Sequence, residues 1–314
     1  MRKILTRSRL LREIKLRLRT MRFGAGQISL WSFGQTLLKR LMSGEITERS
    51  SAVAYNLTLS VFPFVIFLFT LLPYFPIGQI SDKLFAELSN LVHPDIYKPI
   101  YETITEIINK PREGLLSFSF LITIYACSSG MISFMNAFNG VLGITDHRNF
   151  LRQRLTAGAL VFSFVLLLGI AMTLLIGGEI ALAWFLKTAK LDLLLFWGLT
   201  ILRYLIAFFV FFLLLVILYR FAPAANTHLK HQSLGSFIAT TGVILVSLLF
   251  SKYVVEFNTY NKLYGAIGTM IAFMVWIFAV SFVIILGFEI IVSLQKARDE
   301  RIAFLREEQK RQKS

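Results

Sequence analysis

Three sets of polar residues stand inside long apolar runs, and they are the groups in this chain best placed for chemistry. The first is Glu179 with Arg203. The hairpin between their runs turns between Ala189 and Lys190, and Arg203 lies 3 residues farther from that turn than Glu179. That difference is about 4.5 Å of helix rise, so the spacing predicts an ion pair, with the planar guanidinium gripping the carboxylate. The alternative is that each side chain snorkels separately to the headgroups. The second set is Asn136 and Asn139, at i, i+3, whose amides can share one helix face. They read either as pathway lining or as helix–helix glue, and the prevalence of polar glue in membrane bundles favours glue. The third is Glu289, near the end of the last apolar run. Ionisable groups at such positions mark pathways or gates.

Catalytic constellations are missing by comparison. A two-metal nuclease needs clustered His and Asp around ions about 4 Å apart. The four histidines are His93, His147, His228 and His231. Only His228 and His231 are close, and no carboxylate lies near them. The single Cys127 excludes an intramolecular disulfide and a four-cysteine zinc site. No phosphate-binding loop, nucleophile elbow or C-x-x-C occurs. The expectation is a non-enzyme without metal or cofactor.

The elements that must position these residues are membrane spans. Hydrophobic residues make up 56% of the 314 and charged ones 16%, against about 25% charged in soluble domains. No charge occurs between Arg49 and Asp82, a gap of 32 residues. About 20 apolar residues cross a bilayer core. Spans are expected over residues 51–76, 115–142, 155–186, 193–219, 234–251 and 263–294. Pro63 should break or kink the first, and Gly177-Gly178 should break or tilt the third. The fold class is therefore all-α, a polytopic bundle of six transmembrane helices with a broken first helix.

Three regions follow from the charge pattern. Residues 1–50 form a basic amphipathic segment with a second interfacial helix over 28–42. Residues 51–294 form the membrane domain. Its external loop, 77–114, carries amphipathic helices broken at His93-Pro94. Residues 295–314 form a charged tail. Lys and Arg number 24 on the side of the termini and 8 on the other, so both termini are expected in the cytoplasm. Net charge +15 then reads as topology and attraction to anionic lipid rather than nucleic-acid binding.

The run AVAYNLTLSVFPF, Ala52 to Phe64, contains Tyr55 and Pro63. The last span contains Tyr264-Gly265, Trp276 and Leu286-Gly287-Phe288-Glu289. In order and spacing these resemble the YihY / virulence factor BrkB family, formerly labelled ribonuclease BN, over about residues 30–295. Phe288 departs from the alanine of many relatives, which bears on close helix packing. The resemblance implies an integral inner-membrane protein of bacteria. It implies no established activity, although envelope lipid transport has been proposed for some relatives.

Two functions of different kinds are expected. One is a transporter or lipid-translocating permease, acting on a lipid or small molecule, with Glu179, Arg203, Asn136, Asn139, Pro63 and Glu289 as pathway or gating residues. The other is a non-transporting envelope scaffold that docks a partner through its outer loop. A transporter requires polar groups to converge on one place; a scaffold requires only a dry bundle and an exposed patch.

Overall fold

The computed structural model describes residues 22–23, 28–29, 34, 38, 40, 42–71, 74, 113–189, 193–224, 232–256 and 258–313. The amphipathic segment 1–21, the outer loop 77–112 and the His228/His231 pair lie outside the described residues, as does His93. Among the described residues six helices carry the fold: α1 Glu45–Leu71, α2 Glu113–Leu142, α3 Phe150–Ala189, α4 Leu193–Phe221, α5 Gln232–Glu256 and α6 Asn258–Lys313. Each contains a stretch long and apolar enough to cross a membrane. The chain is an all-α polytopic membrane protein. A two-residue antiparallel ladder, β1 Arg22–Phe23 with β2 Ile28–Ser29, precedes the helices.

Three expectations about helix ends and breaks are corrected. The interfacial helix does not begin at residue 28, because Ile28 and Ser29 pair with Phe23 and Arg22. Gly24 and Gly26 lie between those strands, and glycine weakens a helix. Helical backbone is present at Gly34, Leu38, Arg40 and Met42, and Gly44, at φ 77°, separates it from α1. Next, α1 runs unbroken through Pro63. Proline removes one backbone bond, but a helix in lipid has no solvent to satisfy the others if it opens. Finally, α3 is continuous for 40 residues through Gly177-Gly178. A Cβ at Gly178 would lie 3.0 Å from Cδ of Arg203, so this glycine makes room for a side chain of α4. The charged tail continues α6, a single helix of 56 residues.

The chain forms two compact units, Tyr55–Gly130 and the remainder. Within Tyr55–Gly130, parts of α1 and α2 meet along hydroxyl-bearing and small residues. Thr70 Oγ1 and Ser119 Oγ are 3.2 Å apart, and Phe67 packs on Phe120. A Cβ on Gly130 would come within 2.7 Å of Leu57 Cδ2. Ser60, Ser119 and Ser128 donate to the carbonyls of Leu57, Leu116 and Tyr125 in their own helices. These hydroxyls satisfy themselves locally, as small polar residues at helix interfaces do.

The larger unit has its core where α2, α4 and α6 converge. Phe138, Tyr219 and Phe288 are fully buried, with ring centroids 4.5–5.6 Å apart. The Tyr219 hydroxyl donates to the Ile284 carbonyl at 2.7 Å, as a buried phenol requires. Phe288, the departure from alanine, is therefore a central packing residue. Gly235 of α5 and Gly287 of α6 bring those backbones together: a Cβ at Gly287 would lie 3.0 Å from the Gly235 carbonyl oxygen. Trp276 donates its Nε1–H to Ser247 Oγ at 3.3 Å, joining α6 to α5 farther along.

Candidate functional site

Beside the aromatic core lies a network of charged and amide groups. It is built from the residues before α1, the end of α2, the loop 143–149, the end of α4, and α6. Helix α2 ends at Gly143, which has φ 72°. Its N–H bonds to the Gly140 carbonyl, and that of Ile144 to the Asn139 carbonyl. This left-handed glycine cap satisfies the last carbonyls of the helix and turns the chain back across its end.

Glu289 is the buried charge of the network, with 1% of its side chain exposed. Arg40 Nη1 meets its Oε1 at 2.6 Å and also donates to the Val141 carbonyl at 3.3 Å. Ser293 Oγ donates to the same carboxylate oxygen at 3.3 Å. One guanidinium thus joins the segment before α1, the end of α2 and the middle of α6. Arg49 lies beside it. A Cβ on Gly140 would sit 2.9 Å from Arg49 Nε, so Gly140 lets the guanidinium rest on the backbone. Arg49 also holds Glu45 at 2.9 Å. Cations at the end of α2 complement its carbonyl dipoles.

Asn139 is buried, 3% exposed, and ties the loops. Its Oδ1 accepts the Ala224 N–H at 2.8 Å, and its Nδ2 donates to Asp146 Oδ2 at 3.4 Å. Asp146 Oδ1 accepts the Arg148 N–H at 2.9 Å. Arg148 reaches back to the carbonyls of Ala222 and Pro223. The result is a polar clamp between the end of α2 and the end of α4. Replacing Asn139 by Ala leaves the Ala224 N–H without its acceptor. The expected cost is about 1–2 kcal/mol, read as a lower unfolding midpoint in detergent.

The sequence-predicted residues are therefore separated. Glu289 and Asn139 lie at the same end of the bundle. Asn136 does not share the face of Asn139: it is exposed. Residues three apart differ by about 60° around a helix, and the edge of the buried stripe falls between them. Arg203 Nη1 donates to the Leu175 carbonyl at 3.3 Å, and its guanidinium lies over the Tyr204 ring at 5.1 Å. Arg203 thus contacts the turn of α3 that precedes Glu179, whose own side chain lies outside the described residues. Pro63 is half-buried and Tyr55 exposed within the Tyr55–Gly130 unit. Tyr264 and Gly265 lie in α6, and the side chain of Tyr264 is outside the described residues.

Sequence reasoning missed Arg40, Asp146 and Arg148 as site residues. Arg40 and Arg148 enter the sequence only as charges that set topology. A signal existed for Arg40: a lone acid near the end of a span needs a counter-ion. Nothing local indicates which of the many basic residues supplies it. Among the described residues no group of three or more His, Cys, Asp or Glu could hold a metal ion.

The family model for virulence factor BrkB matches residues 37–312, a range that includes every residue of the network. The ribonuclease-like protein YfkH of Bacillus subtilis is 32% identical over 275 residues, covering 85% of this chain and 96% of that protein. The UPF0761 membrane protein of Haemophilus influenzae is 24% identical over 283 residues, covering 87% and 98%. One from Coxiella burnetii is 26% identical over 248 residues, covering 76% and 84%. No solved structure matches the chain. Six apolar helices, the ordered motif residues and a family match across most of the length make this chain a member of the virulence factor BrkB family.

Proposed function

We propose that this BrkB-family membrane protein is a transporter or lipid-translocating permease of the bacterial inner membrane, with both termini in the cytoplasm. The observation that carries the reading is the buried Glu289–Arg40 pair. A carboxylate in a membrane span is costly to keep, and such groups usually serve pathways or gates. Here the pair joins three separate chain segments at one end of the bundle, where a gate would act. The 24-to-8 distribution of Lys and Arg supports the orientation. The basic N-terminal segment suits contact with anionic lipids. The reading is non-enzymatic and involves no nucleic acid; it does not adopt the ribonuclease-like label of the Bacillus protein.

A second reading, an envelope scaffold, is favoured by one observation. Ser60, Ser119 and Ser128, between α1 and α2, each bond to a carbonyl of their own helix, as in a dry, static bundle. The two readings separate in sealed vesicles containing the purified protein. Transport predicts movement of fluorescent phospholipid between leaflets, or uptake of a solute, slowed at least about tenfold by Arg40→Gln, which is about 1.4 kcal/mol in a barrier. Vesicles that move neither class of compound favour the scaffold. For orientation, an engineered cysteine at position 90 should react only with reagent added outside the cell. Reaction only from the cytoplasmic side overturns the topology.

A further inference from the structure

The Glu289–Arg40 contact joins unequal partners. The carboxylate is enclosed by protein, whereas Arg40 keeps 28% of its side chain exposed. Arg40 also precedes α1, beyond the glycine at φ 77° that separates it from that helix. The guanidinium has a path to water, giving up its bond to the Val141 carbonyl as it goes, while Glu289 stays in a stretch of α6 where Ile285, Phe288, Ile290 and Ile291 are all buried. An ionised carboxylate left there without its cation is strongly unfavourable, whereas its protonated form is not. Arg40 cannot supply the proton, because a guanidinium keeps its charge.

We infer that Glu289 is a proton-binding site whose carboxylate is held either by Arg40 or by a proton, so that separation of Arg40 from α6 is coupled to proton uptake. In the separated state, a proton from water at that end adds to a carboxylate oxygen and forms an O–H bond. Ser293 remains beside the protonated acid. No electron moves, and the guanidinium leaves with its charge. Rejoining releases the proton. The inference deepens the transport reading, on which its use as a coupling ion rests. The linkage between proton and contact holds with or without flux.

The other charged groups here have contacts of their own, and His147, between Asp146 and Arg148, is exposed in the loop, so the Glu289→Gln variant below separates its titration from that of Glu289. Arg49 lies against Gly140 and holds Glu45, and its charge also acts on Glu289 without contacting it. Asp146 and Arg148 belong to the clamp on α4. Tyr219 of α4 spends its hydroxyl on Ile284. Helix α5 meets this part of α6 through Gly235 and Ala239, which have no titratable group. Glu289 is thus the described acid at this end whose described cation can leave without dismantling the clamp.

The test measures distance rather than transport. Spin labels are placed at Met42→Cys and Lys296→Cys in a Cys127→Ser background, in lipid vesicles. Met42 is 80% exposed, and Lys296 is also exposed. Pulsed spectroscopy should show one short-distance population at about pH 8. A longer-distance population should grow towards about pH 5, with the steepness of one proton. Glu289→Gln should show the longer distance at every pH. Glu289→Asp should keep a pH response with a shifted midpoint, which keeps the test readable if the Gln variant does not insert. Distances that ignore pH in the native sequence, or a native pH response in Glu289→Gln, overturn the inference. These results require no substrate. A pH-dependent distance in a protein without flux removes transport and leaves the proton site standing.

Discussion

Arg40→Ala is expected to destabilise the protein by about 2–3 kcal/mol near neutral pH: the buried carboxylate loses its partner, and taking up a proton instead costs about 1.4 kcal/mol for each pH unit above the midpoint. The magnitude follows from the burial of Glu289 rather than from the 2.6 Å contact alone. An exposed pair at the same distance contributes only about 0–1 kcal/mol. Removing both charges should recover most of the loss. The double variant Arg40→Ala, Glu289→Leu leaves neither a buried carboxylate nor an orphaned guanidinium, and apolar replacements of buried pairs are often neutral. The loss in Arg40→Ala should shrink as pH falls, because a protonated Glu289 has no charge to compensate. Denaturant unfolding in detergent at several pH values measures all three. A loss below about 1 kcal/mol in the single variant would put the pair in the exposed class. A loss independent of pH would argue against a proton taking the place of the guanidinium.

The second large effect is steric. Gly235→Leu should destabilise the bundle at or beyond the upper end of the roughly 1–3 kcal/mol typical of overpacking. The first added atom alone would lie 2.2 Å from Ile291 Cγ1, 2.4 Å from Ile291 Cδ1 and 2.7 Å from the Gly287 carbonyl oxygen. Ile291 could rotate, but the backbone oxygen cannot move without shifting α6. Gly287→Val should act in the same direction, since its Cβ would lie 2.6 Å from the Tyr219 hydroxyl and 2.7 Å from Ala239 Cβ. That hydroxyl would lose its bond to Ile284. Close approach through small residues holds helices together in membranes, so both changes strike a principal source of packing between α5 and α6. Gly158→Ala is the control: a Cβ there meets nothing within 4 Å. Thermal unfolding in detergent should rank the three variants in that order. A melting point for Gly235→Leu equal to that of the control would refute the close approach.

The spans were legible in the sequence because crossing a bilayer is a property of a local stretch. Some 20 apolar residues without charge must be helical in lipid, whatever their neighbours. The order of Tyr55, Pro63, Trp276, Gly287 and Glu289 carried the family in the same local way. The helix continues through Pro63 because opening a helix in lipid exposes more unsatisfied groups than the ring removes, a balance set by the surroundings rather than by the residue. Asn136 and Asn139 were separated by the edge of a buried stripe, and that edge depends on how α2 is rotated against its neighbours. Glu289 was recognisable as an acid in need of a cation, but Arg40 could not be chosen among the basic residues of the termini. Pairing across such a length of chain depends on helix rotation and on the turn at Gly143, which are decided only when the helices pack. Hydrophobic length is additive along the chain and can be read from it, whereas the match between two side chains depends on three-dimensional directions that no single segment contains.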